Sequence, residues 1–211
     1  EIGNGTINSI YAPTADNSAK YSVSQQLYLK EEINKESGSI TKISFHHKYG
    51  NNNSRNIVVY MRNVDKESYS SASDWVEVSD EHIVYEGSHT FGTNESWTTI
   101  ELQTHFVYTG GDICITINDK TGVAIGSSGY DSFYSTLTGG YQRGIYGTRT
   151  VGSIDCSDLS SITSYQLKTS GFVTPPNAFY VNNIRLTIEP LTPSVKVTPE
   201  DINLGIVKVG G

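Results

Sequence analysis

The sequence is poor in cysteine, methionine and charge, and each shortage excludes a class of protein. Among 211 residues it has two cysteines and one methionine, and charged residues make up 18%. Two cysteines cannot form a zinc ribbon or a dense disulfide framework. Cys114 and Cys156 either pair with each other or remain a buried thiol and an unrelated loop cysteine, and the sequence leaves both alternatives open.

Clustered positive charge and long apolar runs are also missing. The formal net charge is −7, and the 15 basic residues are scattered along the chain. Because phosphate binding requires clustered basic side chains, we expect no nucleic-acid partner. The longest apolar run, from Ile57 to Met61, is much too short to cross a bilayer, so we expect no membrane insertion.

Residues that favour turns and strands are abundant instead. The chain contains 20 glycines and 14 tyrosines, a balance typical of extracellular β proteins. Apolar residues alternate with polar ones in most segments, which is the pattern of half-buried strands. We therefore predict an all-β jelly-roll sandwich of two antiparallel sheets, with one short helix at 65–69 capped by Asp65. The predicted strands are 22–29, 39–49, 55–62, 82–86, 97–102, 105–109, 112–118 and 179–188, the last with a bulge at Asn182 and Asn183.

Two prolines mark a domain boundary near the end of the chain. Pro190 and Pro193 interrupt the strand pattern, as prolines in linkers do. We predict a sandwich module over 1–189, a linker over 190–194 and the truncated start of a second β-domain over 195–211. The last segment is too short to form a sandwich, so we expect the natural protein to continue beyond Gly211, with neighbouring domains as partners in the same polypeptide.

Several short motifs occur in the order found in one group of bacterial modules. They are Ser24-Gln25-Gln26-Leu27-Tyr28, Gly38-Ser39-Ile40-Thr41-Lys42-Ile43-Ser44-Phe45, Arg55-Asn56-Ile57-Val58-Val59-Tyr60-Met61, Asp74-Trp75, Trp97-Thr98-Thr99-Ile100-Glu101-Leu102 and Asn182-Asn183-Ile184-Arg185-Leu186. Residues 1–189 thus resemble the jelly-roll cleaved-adhesin domains of large secreted proteins of host-associated anaerobic bacteria. The tail at 195–211 is similar to the start of an immunoglobulin-like repeat. The resemblance implies a jelly-roll fold, an extracellular location and often a structural calcium ion, but no reaction. The chain departs from this family in lacking a run of acidic calcium ligands.

The sequence shows none of the common catalytic templates. Gly126-Ser127-Ser128-Gly129 differs from a nucleophile elbow, and no helix is predicted after it. Metalloprotease, phosphate-loop and cysteine–histidine signatures are missing as well. Paired carboxylates for glycoside hydrolysis need only meet in space and leave no sequence signature. We predict that the chain is not an enzyme and requires no cofactor.

Calcium is the metal that the sequence fits best. His46 and His47 are neighbours on a predicted strand and point to opposite faces, so they cannot chelate one ion together. Calcium accepts carboxylate and amide oxygens from separate loops. The candidate ligands of a structural calcium ion are Asp16, Asn17, Asp155 and Asp158, and the alternative is that each is a solvated turn residue.

Aromatic residues suggest where a ligand would bind. For Trp75 and Trp97 we favour packing over sugar contact. The segment 126–152 holds five aromatic residues and two arginines but one acid, a composition that binding loops share. Its alternative is one or two further strands with tyrosines on a half-solvated face. The predicted ligand contacts are Tyr134, Tyr141, Arg143 and Tyr146; strand alternation separates Arg143 from Tyr146, so either Arg143 with Tyr141 or Tyr146 with Gln142 should dominate.

Together these features favour a non-catalytic module for adhesion or carbohydrate binding, secreted or displayed on the cell surface within a larger protein. Its ligand would be a glycan or a host surface protein. One alternative is a structural spacer that supports a neighbouring catalytic or adhesive domain. Another is a glycoside hydrolase whose carboxylates assemble in space.

Overall fold

A computed structural model of the chain describes residues 1–14, 19–125, 129, 131–171 and 175–191. The strands are β1 (Ile7–Ser9), β2 (Tyr21–Tyr28), β3 (Gly38–Tyr49), β4 (Ser54–Val64), β5 (Ile83–Thr90), β6 (Trp97–Tyr108), β7 (Asp112–Asp119), β8 (Ser132–Leu137), β9 (Gly144–Arg149), β10 (Ser164–Gln166), β11 (Tyr180–Asn182) and β12 (Ile184–Glu189). One short helix, α1 (Lys30–Ile33), and one 3-10 turn, Asp80–His82, accompany them. The predicted all-β class is confirmed, since strand takes up 51% of the described residues and helix 4%.

The strands form two six-stranded sheets whose pairs are all antiparallel. In sheet A, strands follow the order β1-β8-β3-β12, with β11 beside β8 and β6 beside β3. In sheet B, the order is β10-β9-β2-β7-β4-β5. The finer prediction of a jelly-roll connection remains a prediction.

The main core lies between the two sheets. Alternate residues of the central strands are fully buried there and contact residues of the opposite sheet, as period-two patterning requires. The fully buried members include Ile43 and Phe45 of β3, Ile57 and Val59 of β4, and Ile113, Ile115 and Ile117 of β7. The alternation that predicted the strands therefore also fixes which faces meet.

The prediction of a short helix at 65–69 is wrong. These residues form an irregular loop, because Tyr69 is buried and its hydroxyl lies 3.6 Å from Cys114 Sγ. Burial of that ring outweighs the weak helix signal at Asp65. The only α-helix of the described residues is α1, where Glu32 accepts a hydrogen bond of 3.0 Å from Leu29 N–H.

Other boundaries differ in smaller ways. The segments predicted as 97–102 and 105–109 form one strand, β6, which crosses an irregularity opposite Ile40 and Lys42. The predicted phase shift near Asn182 and Asn183 separates β11, which pairs with β8, from β12, which pairs with β3. Strands β8 and β9 lie within 126–152, as the alternative interpretation of that segment expected.

Both cysteines are free and buried, in separate clusters. Burial raises the pKa of Cys114 to about 11 and that of Cys156 to about 12. Of the two alternatives for the cysteines, the structure has unpaired thiols. In the described part of the chain no helix is long and apolar enough to span a membrane. Most of the predicted linker and all of 195–211 lie outside the described residues.

Candidate functional site

The first candidate site lies where the edge of sheet B faces sheet A. Strands β9 and β10 form that edge and place Tyr146 directly opposite Tyr165. Glycine at 147 leaves room for Ile162, just before β10, because a Cβ atom there would lie 2.4 Å from Ile162 Cγ2. Tyr11, from the loop after β1, completes a group of three tyrosines.

The three rings form a stack with Tyr146 in the middle. The ring centroids of Tyr11 and Tyr146 are 4.6 Å apart with planes at 12°, and those of Tyr146 and Tyr165 are 5.2 Å apart with planes at 29°. Two near-parallel neighbours at these distances occupy opposite faces of the central ring. Tyr165 remains 47% exposed and therefore offers an open aromatic surface to a ligand.

This stack borders an open cavity of about 450 Å³, which we call the tyrosine groove. Apart from Ala72, its remaining lining is polar and contains one charged residue, Lys168. Aromatic surface beside hydroxyl and amide groups is the combination that binds sugars, because rings stack on C–H faces while polar groups bond to hydroxyls. The lining residues are Tyr11, Ala72, Tyr146, Ser164, Tyr165, Gln166, Lys168, Thr169, Ser170 and Asn177.

A partly buried ion pair holds strand β9 in place beside the groove. Arg143 is 6% exposed, and its two terminal nitrogens lie 2.5 and 2.9 Å from the carboxylate oxygens of Glu32 in α1. The carbonyl of Arg143 also accepts a hydrogen bond of 2.8 Å from Leu27 N–H. Two parallel bonds between a guanidinium and a carboxylate fix the orientation of both groups in addition to pairing their charges. Arg143 therefore positions the start of β9.

The second candidate site is on the outer face of sheet A, where four side chains form the Trp97 stack: His46, Trp97, Tyr134 and Arg185. The rings of His46 and Trp97 are parallel to within 6° with centroids 4.5 Å apart, and the guanidinium carbon of Arg185 lies 3.8 Å from the Trp97 centroid. These two neighbours cannot share one face of the indole. Both faces of Trp97 are therefore covered.

Charged partners close the ends of the Trp97 stack. Tyr134 donates its hydroxyl hydrogen to the Glu95 carboxylate, with distances of 2.8 and 3.0 Å to the two oxygens. Arg185 pairs with Glu1 at 2.9 Å. Both glutamates line a cavity of about 290 Å³ beside Tyr134. Each of these two carboxylates therefore has a partner within the Trp97 stack.

The four predicted ligand contacts do not form one site. Tyr146 lies in the tyrosine groove and Tyr134 in the Trp97 stack, whereas Tyr141 is 64% exposed in the turn before β9 and Arg143 is buried in its ion pair. The predicted face for Tyr141 and Arg143 assumed one continuous strand, but β9 begins at Gly144. Sequence reasoning missed Tyr11 and Tyr165, which lie outside the segment that composition singled out.

The two described calcium candidates act within their own turns. Asp155 accepts hydrogen bonds from the backbone and hydroxyl of Ser157, and Asp158 accepts the equivalent bonds from Ser160. These hydroxyls lower the pKa of each carboxyl. Asp16 and Asn17 lie outside the described residues. Within the described ranges no three histidine, cysteine or acidic side chains converge, and a structural calcium ion stays a prediction.

The adjacent histidines face opposite sides of β3, as predicted. His46 belongs to the Trp97 stack, whereas His47 is fully buried, 4.3 Å from Phe133 between ring centroids. Both tryptophans pack against protein groups, Trp75 on two buried clusters and Trp97 within its stack.

Comparisons with family models, curated proteins and solved structures found no match to this chain. The resemblance to cleaved-adhesin domains and to an immunoglobulin-like repeat therefore remains a prediction.

Proposed function

We propose that this chain is a non-catalytic carbohydrate-binding module of an extracellular protein, and that the tyrosine groove is its binding site. The observation that carries the proposal is the exposed ring of Tyr165 at the edge of a polar groove. A ring of this kind can stack on a pyranose face without first losing a protein contact.

Preorganisation supports the same proposal. Tyr146 and Tyr165 are held opposite each other by strand pairing, and Tyr11 covers the remaining face of Tyr146. Side chains fixed before binding lose little conformational entropy when a ligand arrives, so more of the contact energy appears as affinity. The polar lining supplies hydrogen bonds to sugar hydroxyls through Ser164, Gln166 and Asn177.

An adhesive role follows from the same site if the glycan belongs to a cell surface. Extracellular placement is part of the proposal and is supported by the composition, which is rich in glycine and tyrosine. The structural-spacer alternative predicts no ligand for the groove.

A glycan array probed with the whole chain tests the proposal. We expect selective binding that Tyr165→Ala weakens about tenfold to a hundredfold, within the range for a buried aromatic anchor. Tyr49→Ala serves as the matched control, because Tyr49 is also exposed, at 46%, but lies at the end of β3 outside the groove. If no glycan binds, or if both variants weaken binding equally, the groove is not a carbohydrate site.

A further inference from the structure

The one charged residue that lines the tyrosine groove is basic. Of the ten lining residues one is basic and none is acidic, although acidic residues outnumber basic ones in the whole chain by 22 to 15. The single charge is the ammonium group of Lys168. The local balance is thus opposite to that of the whole chain.

Lys168 is solvent-exposed. Among the residues that the structure describes, no carboxylate lies within 4 Å of its ammonium nitrogen. Four of the described lysines have a carboxylate partner; Lys42, for example, lies 2.7 Å from Glu101, and Lys66 lies 2.6 Å from Asp74. Lys20, Lys35 and Lys48 resemble Lys168 in having none, but only Lys168 lines the tyrosine groove. An ammonium without an internal counter-charge keeps its capacity to bind an external anion.

The backbone holds Lys168 where the two sheets are bridged. Lys168 forms an isolated bridge with Phe179, and hydrogen bonds of 2.9 Å from Leu167 N–H to the Gly144 carbonyl and of 2.8 Å from Thr169 N–H to the Ala178 carbonyl secure its neighbours. Its Cα position relative to Tyr165 is therefore set by paired strand segments. The backbones that carry the aromatic surface and the cation therefore belong to one edge of the fold.

From this arrangement we infer that the groove selects an anionic glycan, in which one sugar ring stacks on Tyr165 while its carboxylate or sulfate group pairs with Lys168. This inference rests on the proposed function and adds the ligand class. A neutral sugar would satisfy the aromatic and amide groups but leave the ammonium group facing water. The shared chemistry is a negatively charged substituent on a pyranose.

The experiment compares binding of the whole chain to three oligosaccharides of the same length: a neutral one, one with uronic acid units and one with sulfated units. We expect an anionic member to bind best, with an affinity that falls as salt rises. Lys168→Gln should weaken that binding about fivefold and leave the neutral oligosaccharide unaffected, as for a partly exposed ion pair. Lys42→Gln is the control, because it removes the same charge from sheet A.

The outcomes separate the two proposals. If neutral and anionic members bind equally, and Tyr165→Ala weakens both, carbohydrate binding stands and anion selection is wrong. If Lys168→Gln and Lys42→Gln weaken anionic binding equally, the effect comes from overall charge and the assignment to Lys168 is wrong. If no oligosaccharide binds, both proposals fail. The uronic and sulfated arms show which anion is preferred.

Discussion

The molecule carries two groups of stacked aromatic side chains that are similar in geometry and different in what surrounds them. In the Trp97 stack both faces of the indole are covered, one by His46 and one by Arg185. In the tyrosine groove the central ring is covered but the outer ring, Tyr165, is 47% exposed beside polar groups. The two groups therefore differ in how far their rings are covered, and under the proposed function only the exposed ring of Tyr165 is available to a sugar.

The largest effect should come from the ion pair that supports β9. Arg143→Ala leaves the Glu32 carboxylate, which is partly buried, without its cation. Removing one partner of such a pair should lower the free energy of unfolding by about 3 kcal/mol. Urea denaturation followed by circular dichroism measures this change.

Arg149→Ala is the control for that substitution, because it removes the same side chain from the other end of β9. Among the described residues the side chain of Arg149 bonds only to Ser153 O and Ser161 Oγ, both at the surface. We expect a loss below about 1 kcal/mol. Equal losses for the two variants would mean that the Arg143 ion pair does not position the strand.

The next prediction contrasts the two aromatic groups directly. Trp97→Ala removes a stacked imidazole contact and a cation–π contact, which should lower the free energy of unfolding by about 2 kcal/mol without changing glycan affinity. Tyr165→Ala should do the reverse, costing less than about 1 kcal/mol in stability and most of the binding. Thermal unfolding and calorimetric titration of both variants measure the two quantities.

If Trp97→Ala and Tyr165→Ala changed the free energy of unfolding and the glycan affinity to the same extent, the distinction between scaffold and binding site would be wrong. In particular, loss of glycan binding in Trp97→Ala with the fold retained would move the binding site to sheet A.

How far the sequence predicts these features depends on apolar patterning. Strands β3, β4 and β7 were predictable, because apolar residues recur at every second position, as Ile43 and Phe45 do in β3. Strand β10 has only three residues and no apolar alternation, so Tyr165 could not be assigned to a strand. Its place in the groove depends on long-range pairing with β9, which a period in the sequence does not encode.

The role of a charged residue was equally hard to predict from the neighbouring sequence. Arg143 lies in a tyrosine-rich and glycine-rich segment typical of binding loops, and its partner Glu32 is far away along the chain. The ion pair forms only because the sheet brings β9 alongside β2, next to α1. Composition could therefore single out the region of Tyr146, which lines the tyrosine groove, but could not indicate that Arg143, three residues earlier, pairs with Glu32.

Acid should affect the scaffold that carries the Trp97 stack. Burial lowers the pKa of His47 from 6.5 to about 4, and burial also lowers that of His89. The unfolded chain then takes up more protons than the folded one between pH 6.5 and 4, so the free energy of unfolding should fall as the pH falls through this window. The raised pKa of Asp131, also due to burial, opposes this change at the acidic end.

Denaturation at a series of pH values checks the sign. We expect His47→Leu to flatten the pH dependence, while His46→Gln, on the exposed side of the same strand, retains most of it. A wild-type stability that is constant from pH 6.5 to 4.5 would show that the buried histidine titrates normally.

The smallest effect is expected at Tyr141. Its side chain is 64% exposed and does not line the tyrosine groove, so Tyr141→Ala should change the free energy of unfolding by less than about 0.5 kcal/mol and leave glycan affinity as it is. Titration of this variant against the glycan bound by the wild type provides the measurement. A loss of affinity comparable to that of Tyr165→Ala would extend the site beyond the groove to the turn before β9.

The most direct test of the tyrosine groove is a map of ligand-induced chemical-shift changes in ¹⁵N-labelled protein titrated with an oligosaccharide selected on the array. The chain has two tryptophans, so the Trp97 indole signal is readily assigned and reports on its stack. We predict that amide shifts concentrate at Tyr146, Tyr165, Gln166 and Lys168 while the Trp97 indole signal stays in place. Shifts centred on His46, Trp97 and Tyr134, with β9 and β10 unaffected, would contradict this account.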